Sequence, residues 1–482
     1  MQVNTTKQFC DTNKYLEYFE KKAKNQIAYR RTHSYYWNSI TRYCNFFSHP
    51  DYNILEVGCG TGELLNDITG NKKVGIDFSP NMIQEARRQF PHLDFRIMDA
   101  KKIELGDRFD LIIVSNLIGF IENISIMLEQ IRKKCNPKTK LIITYYSQLW
   151  EPAIRFAESL GLKQKTPSQN WLSKSDIKNI LYLSGFEVYR QDQKMIMPFK
   201  IPIISDFINT YFSPLPFIKH FTINQFVFAR LQPVNNNDTG KMEQSVSIII
   251  PARNEEGNIE NAILRMPHFA TKQEIIFVEG NSKDNTWEHI VNYSNKYKDK
   301  FTIKYIKQDG KGKGDAVRKG FELASGDILM ILDADLTVQP ESLPEFYQTV
   351  IQGKGDFIMG CRLVYPMENQ AMRFLNMIGN KLFSLIFSWI LNRQTKDTLC
   401  GTKVIFKDDY LRLQSNRKFF GDFDPFGDFD LIFGAYKLNL KIVEVPIRYQ
   451  ARQYGKTNIS RFKHGMLLLK MSFFAARKIK FF

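Results

Sequence analysis

Asp333 and Asp335, separated only by Ala334, follow the apolar run Ile328–Leu332 without a break. Two carboxylates at the tip of a buried strand repel each other and lose hydration, so something positive has to sit with them. Mg2+ or Mn2+ meets that need, because such hard cations take one or two carboxylates and complete their shell with phosphate oxygens. A cation held there would neutralise a departing diphosphate, the electrostatic core of a group transfer from a nucleotide donor.

The surrounding residues suit such a donor. The buried-strand run Val246–Ile250 stops at Pro251-Ala252-Arg253-Asn254-Glu255, and Glu274–Val278 runs into Glu279-Gly280-Asn281-Ser282. Polar loops after successive strand ends form a crevice for a nucleotide base and ribose. Gly310-Lys311-Gly312-Lys313-Gly314 lies between these loops and the paired aspartates, with Gly360-Cys361-Arg362, Asp397-Thr398-Leu399-Cys400-Gly401-Thr402 and Glu444-Val445-Pro446 beyond them. Residues 246–458 resemble the family 2 glycosyltransferases of the GT-A fold, and among them the dolichyl- or polyprenyl-phosphate sugar transferases.

The resemblance implies a metal at Asp333 and Asp335. It implies a nucleotide-sugar donor held by Pro251, Ala252, Arg253, Asn254, Glu255, Glu279, Lys313, Asp333, Arg452 and Lys456, with Arg452 and Lys456 on the diphosphate. Arg362 and Arg373 would hold an acceptor phosphate, a task suited to guanidinium forks. Asp428 and Asp430 stand where the family places its catalytic carboxylate. An alcohol acceptor needs that base, whereas a lipid phosphate is already anionic. Glu279-Gly280 replaces the family's usual two aspartates, so base or ribose recognition is expected to differ, and Asn458 stands where many relatives have a lysine.

A second chemistry-bearing run comes earlier. Glu56-Val57-Gly58-Cys59-Gly60-Thr61-Gly62 closes the strand Asn53–Val57 and opens a helix, letting the backbone turn tightly and present free N–H groups to a ligand. Asp77 ends the next strand, where a carboxylate can accept from both ribose hydroxyls. With Met98-Asp99-Ala100, Phe109-Asp110-Leu111, Ser115-Asn116 and Leu183–Val188, residues 52–190 resemble the class I S-adenosylmethionine-dependent methyltransferases. The resemblance implies that Glu56, Gly58, Gly60, Gly62, Asp77, Asp99 and Ser115 bind S-adenosylmethionine, with Asp99 or its neighbours at the adenine. An ordinary dinucleotide unit is the rival, disfavoured by the spacing and the downstream strands. Ser115-Asn116-Leu117-Ile118 lacks the Asn/Asp-Pro-Pro-aromatic stretch of nucleic-acid amino-methyltransferases. Tyr35, Tyr36 and Tyr145 are candidate bases, each weighed against simple packing, and a half that binds the cofactor without catalysis stays open.

These sites need a scaffold. A chain of 482 residues exceeds one hydrophobic core. Strands alternate with helices from residue 52 onward, which predicts two α/β domains, a Rossmann-like parallel sheet followed by a GT-A fold. The expected boundaries are 1–231 for the first domain, 232–245 for a linker, 246–458 for the second domain and 459–482 for a basic amphipathic tail. Residues 1–50 read as helical, with Tyr35, Tyr36 and Trp37 placed to cover a site entrance. Six cysteines show no paired spacing, which favours a reducing compartment. No signal peptide opens the chain and no run is long enough to span a bilayer, so the expectation is a cytoplasmic protein, peripheral on the membrane.

The net charge of +17 asks for an anionic partner. Phe374, Leu375, Met377, Ile378, Leu382, Phe383, Leu385, Ile386, Trp389 and Ile390 predict a broad apolar helix surface. The tail adds Met466, Leu467, Leu468, Leu469, Phe473 and Phe474 among Arg461, Lys463, Lys470, Arg477, Lys478 and Lys480. Apolar bulk among cations suits an anionic lipid interface, with packing on the transferase core as the alternative. The reading is of a fused enzyme: inverting sugar transfer onto polyprenyl phosphate, and methyl transfer to an acceptor the residues do not disclose. Its rivals are a transferase acting on a soluble or polymer hydroxyl, and a scaffold or nucleic-acid binder. The last lacks any recognition motif, and no nucleic acid is expected as partner.

Overall fold

Strands that read as uninterrupted apolar runs form the centre of each half of the chain, and their burial on both faces is what such runs require. In the computed structural model, which describes residues 12–161, 165–167, 169–233, 244–365, 374–415, 427–450, 452, 454 and 461–481, the chain divides into two units, Met1–Gln232 and Pro233–Lys480.

The first unit is built on β1 (Ile54–Val57), β2 (Lys73–Asp77), β3 (Asp94–Ile97), β4 (Phe109–Ser115), β5 (Cys135–Tyr146), β6 (Phe186–Lys194) and β7 (Asn224–Leu231), ordered β3-β2-β1-β4-β5-β7-β6. The five strands β1 to β5 are parallel as expected. The sheet is nonetheless mixed, because β7 runs antiparallel to both β5 and β6. The order reverses between β1 and β4, so the loops after β1 and β4 diverge and open a crevice at their carboxyl ends.

The second unit carries β8 (Val246–Ala252), β9 (Gln273–Glu279), β10 (Thr302–Lys307), β11 (Ile328–Ile331), β12 (Phe357–Cys361), β13 (Lys403–Phe406) and β14 (Ile442–Pro446), ordered β10-β9-β8-β11-β13-β12-β14. It too is mixed: β13 is antiparallel to β11 and β12, and the remaining pairs are parallel. Both units are α/β. Fully buried Ile248, Ile250, Ile275, Phe277, Ile328 and Met330 hold β8, β9 and β11 together, which brings the loop after β8, the loop after β9 and the paired aspartates to one sheet edge.

Of the broad apolar face expected of the helix Phe374–Ile390, the side chains of Phe374, Leu375, Met377 and Ile378 lie outside the described residues, and the rest divides between exposed and buried positions. Phe383, Phe387 and Ile390 are buried, and the Phe387 ring packs on Phe429 and Phe433 at centroid distances of 4.9 and 5.2 Å. The helix Arg461–Ile479 likewise turns Leu468, Met471, Ala475 and Ile479 inward. Among the described side chains of these two helices, Leu382, Leu385, Met466, Leu469 and Phe473 are exposed. Among the described residues no helix is long and apolar enough to cross a membrane. The five described cysteines, Cys44, Cys59, Cys135, Cys361 and Cys400, are free and buried.

Candidate active sites

In the first unit the glycine run reverses the chain sharply after β1. Gly58, Gly60 and Gly62 have φ of +76°, +53° and +86°, a left-handed region that side-chain-bearing residues seldom enter. Gly62 has no room either, since a Cβ there would lie 2.5 Å from the Phe95 ring. Asp77, at the end of β2, ties this loop down. Its Oδ2 accepts from the Gly60 N–H at 2.9 Å and its Oδ1 from the Ser79 N–H at 3.0 Å. Burial raises the Asp77 carboxyl above its ordinary range, and those N–H groups pull it partly back. Ser79 then caps the helix Pro80–Gln89, its Oγ accepting from the Met82 N–H.

Gly58, Asp77 and Asp99 line one cavity together with Phe78, Met98 and Leu117. Asp99 Oδ1 accepts from the Lys101 N–H at 2.8 Å. Glu56, Gly60, Gly62 and Ser115 do not line it. Glu56 lies beneath the loop, buried, with Oε2 unpartnered, and desolvation pushes its carboxyl up to about 8. Ser115 Oγ is 3.2 Å from Thr144 Oγ1, where either can donate.

The cavity's aromatic wall was not foreseen. Tyr15 and Phe19 of the helix Thr12–Thr32 line it, and Phe19 meets Phe78 and Phe120 edge-on at 5.9 and 5.3 Å. The helix is pinned by Glu20, whose carboxylate accepts from Ser79 Oγ and from the Asn81 N–H at 3.1 Å. Tyr35, Tyr36 and Trp37, expected at the entrance, are placed elsewhere. Tyr36 donates to Asn224 Oδ1 and accepts from Asn116 Nδ2, Tyr35 accepts from Asn209 Nδ2, and Trp37 packs under Arg30. Burial holds the phenols of Tyr36 and Tyr145 well above the ordinary tyrosine range, which suits packing and hydrogen bonding rather than proton abstraction.

In the second unit the predicted residues form a chain of ion pairs. Asp333 Oδ1 meets Lys313 Nζ at 2.5 Å. Asp335 accepts from Arg452 Nη2 at 2.7 Å, while Arg452 Nη1 donates to Glu255 at 2.8 Å. Thr337 completes Asp335 by donating its hydroxyl at 2.8 Å and its N–H at 3.2 Å. Burial alone would raise Asp333, but the Lys313 ammonium outweighs it and holds the carboxyl below its usual range. Lys313 is raised in turn: burial opposes its charge, and Asp333, Asp428 and Asp335 overcome that. Glu255 is raised by burial, with Arg452 pulling it back.

Gly401 lies against this cluster. A Cβ on it would sit 2.1 Å from Asp333 Oδ2 and 2.3 Å from Lys313 Nζ. The loop after β8 is fastened to the loop after β9: the Asn254 N–H donates to Ser282 Oγ at 3.0 Å and the Glu255 N–H to Thr286 Oγ1 at 2.9 Å. Gly280 N–H donates to Ala252 O, and Glu279 accepts from the Ser282 N–H at 2.5 Å. Pro251 and Arg253 flank Ala252 at this junction.

Three expectations meet a different geometry. Asp428 opens the helix Asp428–Lys437, but its Oδ1 accepts at 2.7 Å from Lys403 Nζ, a lysine only 1% exposed. Asp430 stands two residues on, and residues so spaced leave a helix on different faces, so the two acids do not present together. Arg362 spends its fork on Asp397, with Nε and Nη2 donating at 2.7 and 2.8 Å to a fully buried carboxylate, and Asn380 adds a third bond at 3.2 Å. Lys456 and Arg373 lie outside the described residues. Lys403 went unremarked in the sequence, although a lysine opening the otherwise buried strand β13 is a readable signal.

Two carboxylates with phosphate oxygens to complete the shell fit Mg2+ or Mn2+. Among the described residues no group of three or more His, Cys, Asp or Glu forms an all-protein metal cage.

Comparison with known proteins covers both units. A family model described as glycosyl transferase family 2 matches residues 247–419, and one described as a methyltransferase domain matches residues 14–191. A dolichol-phosphate mannosyltransferase of Pyrococcus furiosus is 30% identical over 246 residues, covering 49% of this chain and 67% of the relative. The low-salt glycan biosynthesis hexosyltransferase Agl6 of Haloferax volcanii is 28% identical over 46% of this chain, which spans about half, 51%, of that relative. A UDP-N-acetylglucosamine–dolichyl-phosphate N-acetylglucosaminyltransferase of Methanococcus voltae is 26% identical over 48% of this chain and 97% of its own length. Among solved structures, a SAM-dependent methyltransferase from Thermotoga maritima is 15% identical, with TM-score 0.36, covering 44% of this chain and 98% of that one. A glucosyl-3-phosphoglycerate synthase from Mycobacterium tuberculosis, solved with Mn2+ and UDP, is 16% identical, with TM-score 0.36, covering 50% and 81%.

Proposed function

The chain belongs to glycosyl transferase family 2 and carries a methyltransferase domain ahead of that half, and we propose that it is a bifunctional enzyme whose second unit moves a sugar, with inversion, from a nucleotide-sugar donor to a polyprenyl-phosphate-type lipid. The observation that carries this reading is the cluster Lys313–Asp333–Gly401 beside Asp335–Arg452–Glu255. Asp333 and Asp335 would hold Mg2+ or Mn2+, which when bound supplies charge neutralisation for the leaving diphosphate. Lys313 and Arg452, with Lys456, would grip the diphosphate. Pro251 to Glu255 and Glu279 would receive the base and ribose, and Arg362 and Arg373 would meet the acceptor phosphate.

Asp428 Oδ1 is already hydrogen-bonded to the Lys403 ammonium. That supports an acceptor arriving as an anion rather than a hydroxyl awaiting deprotonation. Arg362 reaches a phosphate only with its remaining N–H groups, because Asp397 holds the other two.

The first unit, on this reading, binds S-adenosylmethionine in the cavity lined by Gly58, Asp77 and Asp99, with Asp77 on the ribose. Its acceptor is proposed only as a related glycan or lipid intermediate. A location on the membrane face follows from the lipid acceptor, aided by exposed Leu382, Leu385, Met466, Leu469 and Phe473. The deciding experiment incubates the full chain with radiolabelled nucleotide sugars, polyprenyl phosphate and Mg2+ or Mn2+. Label extractable into organic solvent and abolished by chelator is expected. Undiminished turnover in chelator, or label only in a water-soluble product, would overturn the reading.

A further inference from the structure

The stretch joining β6 to β7 in the first unit is inside out. Ser205, Ser213 and Thr222 are 0% exposed, while Ile203 and Phe217 stand 83% and 86% exposed. Phe199, Phe207 and Phe221 are each more than half exposed as well. The hydrogen bonds explain the inversion. Ser205 Oγ donates to Phe199 O at 2.8 Å and accepts from the Ile201 N–H at 2.9 Å. Asn209 Oδ1 accepts from the Ile196 and Met197 N–H groups at 2.8 and 3.0 Å, and its Nδ2 donates to Met197 O. Ser213 Oγ accepts from the Met195 N–H at 3.2 Å. Polar side chains thus frame the interior of the segment, and the large apolar ones face out.

Water gives no reason for that arrangement, since folding usually gains by hiding such side chains. The backbone shows the same bias. Ile203 has φ of +67°, a left-handed conformation that β-branched residues rarely adopt. Charge narrows the occupant. Between Gln193 and Asn237 the sole acid is Asp206, whereas Lys200 and Lys219 flank the apolar tips. Trp150 stands at the base, its Nε1 donating to Phe221 O at 2.8 Å, beside exposed Leu149, and tryptophan favours the boundary between lipid and water. The helical piece Ile204–Phe207, continued through Phe212, is far too short to span a bilayer.

We propose that residues 196–222 lie in the headgroup region of an anionic lipid bilayer, with Ile203 and Phe217 inserted deepest, so that the methyltransferase unit is docked to the membrane by a surface of its own. An apolar face that is acid-poor, edged by cations and too short to span is what such an interface takes up. The proposal does not depend on the sugar acceptor's identity.

The test places a reporter at the tip. Phe217→Trp in the full chain is mixed with vesicles of phosphatidylcholine and phosphatidylglycerol, and its emission is read as the difference from the parent protein. A blue shift on adding vesicles, with quenching stronger for bromines near the headgroup end of the acyl chains than near the bilayer centre, is expected. Ile203→Asp with Phe217→Asp should lower vesicle partitioning roughly tenfold or more, since two large apolar contacts are lost. Two results would overturn the proposal: a Phe217→Trp signal unchanged by vesicles, whether or not the chain sediments with them, or a blue shift already present without lipid and growing with protein concentration. The second would mark a contact between copies of the chain. Loss of sugar transfer in these variants is read separately and bears on neither outcome.

Discussion

Gly401→Ala is the sharpest probe of the proposed donor site, because the space it fills is known. The new methyl would sit 2.1 Å from Asp333 Oδ2 and 2.3 Å from Lys313 Nζ, where ordinary contact begins at 3.4 Å. Lys313 can swing away on its long stem. Asp333 cannot, since its short side chain hangs from the end of β11 and has to retreat by about 1 Å, a displacement that typically costs about 100-fold when the group positions a reaction. The expected result is a fall of that order in Mn2+-dependent binding of a nucleoside diphosphate by calorimetry, and in sugar transfer. The fold should survive, with thermal unfolding shifted by only a few degrees, because the overlap involves side-chain ends and one site. Gly106→Ala, whose Cβ would meet nothing within 4 Å, is the control. If Gly401→Ala binds metal and nucleotide as the parent does while remaining folded, Asp333 does not face the donor and the assignment of the site fails.

Two further outcomes test the electrostatics. Burial raises the Glu56 carboxyl from 4.5 to about 8, so the folded state holds a proton that the unfolded state releases earlier. Its contribution to stability is whole below about pH 4.5 and is lost as pH rises through about 8, with a slope of at most about 1.4 kcal/mol per pH unit; Glu56→Gln should flatten that decline in urea titrations, and an unchanged slope would refute the buried-acid account. Asp428→Ala strands the Lys403 ammonium, 1% exposed, without its carboxylate, so a loss of about 3–5 kcal/mol in unfolding free energy is expected, and Lys403→Met with Asp428→Leu should recover much of it.

What could be read from the chain and what could not divide along a physical line. Strand tips carrying Gly58–Gly62, Asp77, Pro251–Glu255 and Asp333–Asp335 were legible because local patterns suffice: an apolar run, a break and a polar residue whose type matches a ligand. The Ser79-Pro80 helix start belongs with them. Partners distant in sequence were not legible. Nothing local announces that Lys403 reaches Asp428, that Asp397 occupies the Arg362 fork, or that Tyr15 and Phe19 wall the first cavity. The apolar helices show the same limit. Phe387 and Ile390 look as suited to lipid as Leu385 does, and only packing against Phe429 and Phe433 tells them apart. The stretch 196–222 escaped notice because its hydrophobic residues follow neither helical nor strand spacing; its inverted polarity is visible only once Ser205 and Ser213 are seen inside.

In the second site, as it stands, each of these acids has a cation beside it: Lys313 with Asp333, Arg452 shared by Asp335 and Glu255, Lys403 with Asp428. On the proposed reading, binding is an exchange of partners. Lys313 and Arg452 leave carboxylates for phosphoryl oxygens, and Asp333 and Asp335 leave ammonium and guanidinium for a divalent cation. Either half of that exchange alone would strand charged groups in a poorly hydrated crevice, which is unfavourable by several kcal/mol. Completed together, the two halves pair Lys313, Arg452, Asp333 and Asp335 again, and only Glu255 gives up its cation, keeping the Asn258 amide at 2.7 Å. Metal and diphosphate are therefore coupled through the same four side chains, and coupling of that kind is reciprocal: whatever the cation does to nucleotide affinity, the nucleotide does equally to the cation's. Lys403 and Asp428 take no part in the exchange, which is why a buried pair can remain intact beside a site that opens and closes its own.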